Sequence, residues 1–231
     1  MKKIFFPSDE RGITELDWLL SKHSFSFGEY YDPKKTGFGK LLVVNDDTIA
    51  PGQGFGMHPH KDMEIITIVL DGMLEHKDSE GNKGQIKNNQ IQLMSAGTGI
   101  MHSEFNASKK DEVSLLQIWI NTNKNNTKPS YQDMNYKIDK NNITTLVSEA
   151  HDKDKLHIQQ NATLSLLKLD KGKIIKHNSK INGVYFFVIE GSVNILDQEL
   201  NKRDALGVVD SKDIEIKTLE ASYILIIEVD Y

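Results

Sequence analysis

Short runs of strand length set the hydrophobic pattern of this chain. Residues 40–45, 64–70, 90–94 and 114–120 are β-branched or alternate apolar with polar positions, and Gly, Asn or Asp bound them. After a polar, turn-prone stretch at 121–129, strand patterning resumes at 163–169, 184–189, 192–196 and 222–229. Glycine turns such as Asp71-Gly72 and Gly97-Thr98-Gly99 punctuate the runs, and many short strands so spaced predict an all-β sandwich or barrel. Helix is sparse. Residues 13–20 are expected to make two helical turns, with Trp18 and Leu19 packing inward. The stretch at 121–129 reads as a connection, which divides the chain into domains 1–128 and 129–231. Residues 63–72 and 184–191 share an apolar run, an acidic residue and a Gly, each with a His upstream, which hints at a duplicated barrel.

Composition narrows the classes. The 231 residues allow two domains of common size. Lys and Arg number 28 against 33 Asp and Glu, a net charge of −5 that leaves no electrostatic footprint for direct nucleic-acid binding but leaves a protein partner open. There is no cysteine, so disulfides, thiolate catalysis and iron–sulfur clusters are excluded, and any metal must sit on His, Asp, Glu or water. The apolar run Ile4-Phe5-Phe6 stops at Pro7, short of the ~7–15 residues of a signal-peptide core. No stretch approaches the ~18–20 apolar residues of a membrane helix. The chain reads as cytoplasmic, with no membrane partner.

Candidate chemistry lies in two pairs of residues. Side chains two apart on a strand share a face, so His58 and His60 project together, as do His102 and Glu104. If their strands are neighbours, three imidazoles and a carboxylate converge on one divalent cation. Fe(II), Mn, Co, Ni, Cu and Zn all suit that donor set. Glu64 has the parity of His60 and reads first as an acceptor for an imidazole N–H, otherwise as a fifth ligand or a plain strand residue. His76 reads as a turn residue, His23 as lying near a cavity mouth, and His151 and His157 as solvated. His177 has no His partner two residues away, so no second metal is expected in the C-terminal half.

The spacing Gly52-x5-His58-x-His60-x3-Glu64 resembles the first cupin motif, with Gly72 one residue later than the general pattern. Gly99-x2-His102-x3-Asn106 keeps the core of the second motif without its usual proline. Further stretches, His23-Ser24-Phe25-Ser26-Phe27, Tyr30-Tyr31-Asp32-Pro33, Gly37-Phe38-Gly39 and His76-Lys77-Asp78-Ser79-Glu80-Gly81, are similar to the pirin family of bicupins over most of residues 20–120. Asn89-Gln90 stands where that family usually has Gly-Asp. Asn tolerates positive φ, so the turn is expected to be kept.

The resemblance implies two cupin-type β-barrels, with one metal in the first barrel only, on His58, His60, His102 and Glu104, and Fe(II) favoured. Bacterial members of the family look like quercetin 2,3-dioxygenases, which open a flavonol ring with O2. The implied partners are then O2 and a flat, flavonol-like small molecule, with Glu104 as the catalytic base and Phe55, Ile66, Ile68 and Ile100 lining the cavity. The family's namesake instead implies a non-enzymatic, metal-dependent transcription cofactor that binds proteins. An oxygenase for a different enol is a third reading.

Overall fold

In the computed structural model, which describes residues 1–231, the chain is built almost wholly of strands. The first half holds β1 (Lys2–Phe6), β2 (Gly12–Leu16), β3 (Leu19–His23), β4 (Leu41–Ile49), β5 (Gly54–His60), β6 (Met63–Asp71), β7 (Met73–Asp78), β8 (Lys83–Lys87), β9 (Gln90–Ser95), β10 (Ile100–Asn106) and β11 (Val113–Asn121). Then come β12 (Ser130–Asn135), β13 (Ile143–Ser148), β14 (Leu156–His157), β15 (Ala162–Leu169), β16 (Ile174–Asn178), β17 (Gly183–Glu190), β18 (Val193–Ile195), β19 (Gln198–Leu200), β20 (Ala205–Val209), β21 (Asp213–Thr218) and β22 (Ser222–Val229). One 3-10 turn occurs at Ser8–Glu10, and no helix is long and apolar enough to cross a membrane.

The helix expected at 13–20 is instead the β2–β3 hairpin, in which Leu16 pairs with Leu19. Eight residues are too few for periodicity to separate helix from strand. On β3, Leu19, Ser21 and His23 are buried while Leu20 and Lys22 face out, a period of two. Leu19 does pack inward.

Each half is a seven-stranded sheet with a four-stranded partner. The N-terminal sheets run β12-β9-β6-β11-β4-β3-β2 and β5-β10-β7-β8; the C-terminal ones run β1-β20-β17-β22-β15-β13-β14 and β16-β21-β18-β19. The layouts correspond strand for strand, as the internal echo suggested. Two edge strands cross the division at 128/129: β1 pairs with β20 of the C-terminal sheet, and β12 pairs with β9 of the N-terminal one. Each large sheet is thus finished by a strand from the other half.

The two large sheets are held together by a shared core of 27 buried residues, among them Ile66, Ile68, Leu116 and Ile118 from the first half and Leu164, Leu166, Tyr185 and Phe187 from the second. Being buried on both faces explains the near-continuous apolar runs of β6 and β11. Even-numbered residues of these strands face the other domain, and odd-numbered ones face their own barrel. Asp46 follows the same rule on β4: it turns to the seam and accepts ion pairs from Arg11 (3.3 Å) and from Arg203 (3.0 Å).

The two barrel interiors differ. The C-terminal one is filled by 14 apolar side chains, including Val184, Phe186, Ile214 and Ile216. The N-terminal one has apolar clusters around Val69 and Leu115 and around Ile65 and Met94, with polar residues between them. Because Ile118 lies in the shared core, Ile118→Ala should cost about 2–5 kcal/mol while both barrels still unfold in one transition, read as coincident chemical denaturation curves by far-UV circular dichroism, which reports both barrels, and by fluorescence of Trp18 and Trp119, which reports the first.

Candidate metal centre

β5 and β10 are antiparallel neighbours, with His58 opposite His102 and His60 opposite Ile100. That register brings both predicted pairs to one face. Gly54 makes the close approach possible, since a Cβ there would lie 2.2 Å from the carbonyl oxygen of Glu104. A bulge between His102 and Glu104 shifts the register by one. Asn89, before β9, has φ +63°, so the turn that usually carries Gly in the pattern is kept.

The rings of His58, His60 and His102 have centroids 4.3–4.9 Å apart, and one nitrogen from each lies within 4.8 Å of the others. Met57 and Pro59 point to solvent between the inward imidazoles. His58 Nδ1 is 2.8 Å from the carbonyl of Gly56; as that nitrogen donates, Nε2 keeps its lone pair. Burial, reinforced by the neighbouring imidazoles, pushes His60 down to about 4 and His102 down to about 3, so both are neutral near pH 7. The Nε2 of His60 and both ring nitrogens of His102 are buried without a hydrogen-bond partner. Buried polar atoms are rarely left unpaired, and three converging imidazoles, two of them with buried unpaired ring nitrogens, fit a divalent metal ion.

Glu104 stands beside this group but outside it. Its carboxylate is 99% buried and accepts from Gln117 Nε2 (2.9 Å) and Thr67 Oγ1 (3.4 Å). Trp119 Nε1 donates to Gln117 Oε1 at 3.3 Å, and the indole lies edge-on to the His60 ring, with centroids 4.8 Å apart. Trp119, Gln117 and Glu104 therefore form one oriented chain.

A cavity of about 370 Å³ opens onto His58 and Glu104. Trp18 and Phe55 meet edge to face on its wall (5.1 Å), as do Phe27 and Trp119 (5.3 Å). The β2–β4 side contributes Thr14, Ser21, His23, Asn45 and Asp47. His23 lines the cavity as expected, but it is buried, with Nδ1 2.8 Å from Asn45 Oδ1 and Nε2 2.8 Å from Thr14 Oγ1.

Comparison with known proteins agrees with this picture. A model described as pirin matches residues 7–120, and one described as the quercetinase C-terminal cupin domain matches residues 145–229. A quercetin 2,3-dioxygenase of Escherichia coli strain K12 is 40% identical over 222 residues, 96% of each chain. The crystal structure of a bacterial pirin from Escherichia coli in complex with nickel(II) superposes with a TM-score of 0.95 at 37% identity, covering 99% of each chain. The chain belongs to the pirin family. A pirin-like protein of Caulobacter vibrioides is similar as well, 37% identical over 96% of this chain and 97% of its own. The all-β, two-cupin architecture expected from the sequence is therefore the pirin architecture.

Several expectations need correction within this pirin framework. Glu64 does not reach the imidazoles: its carboxylate accepts from Ser95 Oγ at 2.7 Å and lies by the backbone of Gln159 at the domain seam. Strand parity cannot be carried through the turn at Asp62, whose φ of +48° resets which face β6 presents. For the same reason Ile66 and Ile68 face the other domain, and Ile100 joins the small cluster with Ile65; of the four expected lining residues, Phe55 alone borders the cavity. His76 is not in a turn but on β7, fully buried and stacked on Tyr131, outside the imidazole group. His177 is paired with Glu228 at 3.3 Å, and the inward residues of β21 beside it are Ile214 and Ile216, where β10 has His102 and Glu104. His151 is exposed, whereas His157 is half-buried against it.

Sequence reasoning missed Thr67, Gln117 and Asp47. The first two carried a usable signal, since each is a polar residue inside an otherwise apolar strand run.

Two outcomes follow from this geometry. His102→Ala should reduce metal from about one ion per chain to a small fraction of that, measured by elemental analysis, with the fold retained by circular dichroism. Burial, then the charge of Glu104, pushes Asp47 up to about 7 from 3.8. In the metal-free protein its contribution to stability is therefore largest below pH 4 and is lost as pH rises to about 7. Asp47→Asn should remove that part of the slope, read as the difference between variant and wild-type denaturation midpoints across pH 4–8.

Proposed function

We propose that this chain is a metal-dependent dioxygenase acting on a flavonol-type enol such as quercetin, with Fe(II) held by His58, His60, His102 and Glu104. The observation that carries the reading is the aromatic-walled cavity that ends on His58 and Glu104. A regulatory protein has no need of such an enclosed slot beside its metal, whereas a flat substrate does. The names borne by similar proteins over the whole chain support the same class.

When bound, the metal supplies a Lewis acid for an enolic oxygen and the redox chemistry that O2 requires. The remaining work falls to the chain. Trp18, Phe55, Phe27 and Trp119 hold a planar ring system and keep water out. Glu104 takes the proton of the enolic hydroxyl, the one acidic proton at the reacting end of the substrate. Gln117 and Thr67 each donate to a different oxygen of that carboxylate, which orients it before substrate arrives. His58, His60, His102 and Glu104 would hold the ion, and the cavity beside His58 and Glu104 would give substrate access to it. The three imidazoles hold their geometry without exchanging protons.

The test is aerobic turnover of quercetin by protein loaded separately with Fe(II), Ni(II) and other divalent ions, following loss of flavonol absorbance and release of carbon monoxide. Turnover with at least one metal is expected. Glu104→Gln should lower kcat by about 10²–10⁴ with its metal content measured in parallel. An inactive wild type with every metal would remove the dioxygenase reading.

A further inference from the structure

The buried polar wall of the cavity holds an acceptor that the protein itself leaves free. On the β2–β4 side, His23 has both ring nitrogens engaged, by Asn45 Oδ1 and Thr14 Oγ1. Ser21 Oγ donates to Asp47 Oδ1. At the inner end each oxygen of Glu104 accepts one hydrogen bond, from Thr67 or from Gln117, and Trp119 Nε1 donates to Gln117. Asp47 Oδ2 accepts no such bond, although the residue is buried and lines the cavity. Asn45, two residues earlier on the same strand face, has its oxygen on His23, which leaves its amide Nδ2 to the cavity. An acceptor and a donor therefore sit side by side on β4, on the same cavity as Glu104, with Asn45 paired to Gln117, the residue that donates to Glu104.

We propose that Asp47, with Asn45 beside it, is the specificity-determining group for a second hydroxyl of the substrate, so that the site selects planar polyphenols over enols carrying a single hydroxyl. A phenolic hydroxyl donates to Asp47 Oδ2 and accepts from Asn45 Nδ2, which satisfies both groups at once. The ligand then needs two oxygen functions on one flat frame: the enol at the Glu104 end and a further hydroxyl at β4. A buried carboxyl in a slot walled by aromatic rings discriminates against an analogue lacking that hydroxyl, because the carboxyl loses its solvation and gains no partner. The geometry asks for this residue independently of which metal is bound. It rests on the flavonol reading above and deepens it.

The test is equilibrium binding without turnover. Nickel-loaded protein is titrated under argon with quercetin and with 3-hydroxyflavone, which shares the enol and lacks the other hydroxyls. Quenching of Trp18 and Trp119 reports occupancy, since both line the cavity. Wild type should bind quercetin at least about tenfold more tightly than 3-hydroxyflavone. Asp47→Asn and Asp47→Ala should lose most of that preference while their affinity for 3-hydroxyflavone stays within about twofold of wild type. Equal weakening of both ligands would show Asp47 to be merely structural and overturn the proposal, as would a preference that survives both substitutions. If wild type binds neither ligand, the flavonol reading falls and this proposal with it. If wild type binds both and the two variants keep its preference, only the role of Asp47 falls.

Discussion

Face-to-face burial of two seven-stranded sheets obliges the central strands of the N-terminal half to serve two interiors at once. Successive side chains on a strand point to opposite faces. Even positions on β6 and β11 are therefore committed to the shared core, where Ile66, Ile68, Leu116 and Ile118 each contribute roughly 1.5–3 kcal/mol of burial. Odd positions are released from that duty. Thr67 and Gln117 occupy them and reach Glu104. β4 shows the same division with two adjacent carboxyls: Asp46 is clamped by arginines at the seam, and Asp47 looks into the cavity.

This division also separates the two barrels chemically. Both have the same strand layout, yet the interior of the second is closed by Ile214, Ile216, Phe186 and their neighbours. Its histidine, His177, is met by Glu228, whose carboxyl is held down to about 2 despite its burial, chiefly by hydrogen bonds from His177 and Ser179. A filled interior stabilises. The polar waist of the first barrel, with unpaired imidazole nitrogens, is stabilised less and kept open for binding.

Within the first barrel, orientation matters as much as identity. Glu104 is tied to Gln117, Gln117 to Trp119, and Trp119 packs edge-on against His60, so that the carboxylate, the cavity wall and an imidazole are parts of one connected arrangement. A change at Trp119 would be felt at the carboxylate without any contact with it. Such support is what holds a reactive group in place on a β-scaffold.

The sequence by itself determined the strand-rich class, the doubled layout and the pairing of His58 with His60 and of His102 with Glu104, because all of these rest on period-two spacing and turn residues that act within a few positions. It also marked Asn89 as a position for positive φ, a property of one residue's backbone. Tertiary structure decided the rest. Whether Glu64 faces the imidazoles or the seam depends on how the chain turns at Asp62, and whether residues 13–20 coil or pair depends on the β4 strand waiting beside them. The exchange of β1 and β12 between halves, and the meeting of Asp47 with Glu104 around one cavity, join residues far apart in the chain. Local pattern fixes which way a side chain points relative to its neighbours; only packing fixes what it then meets.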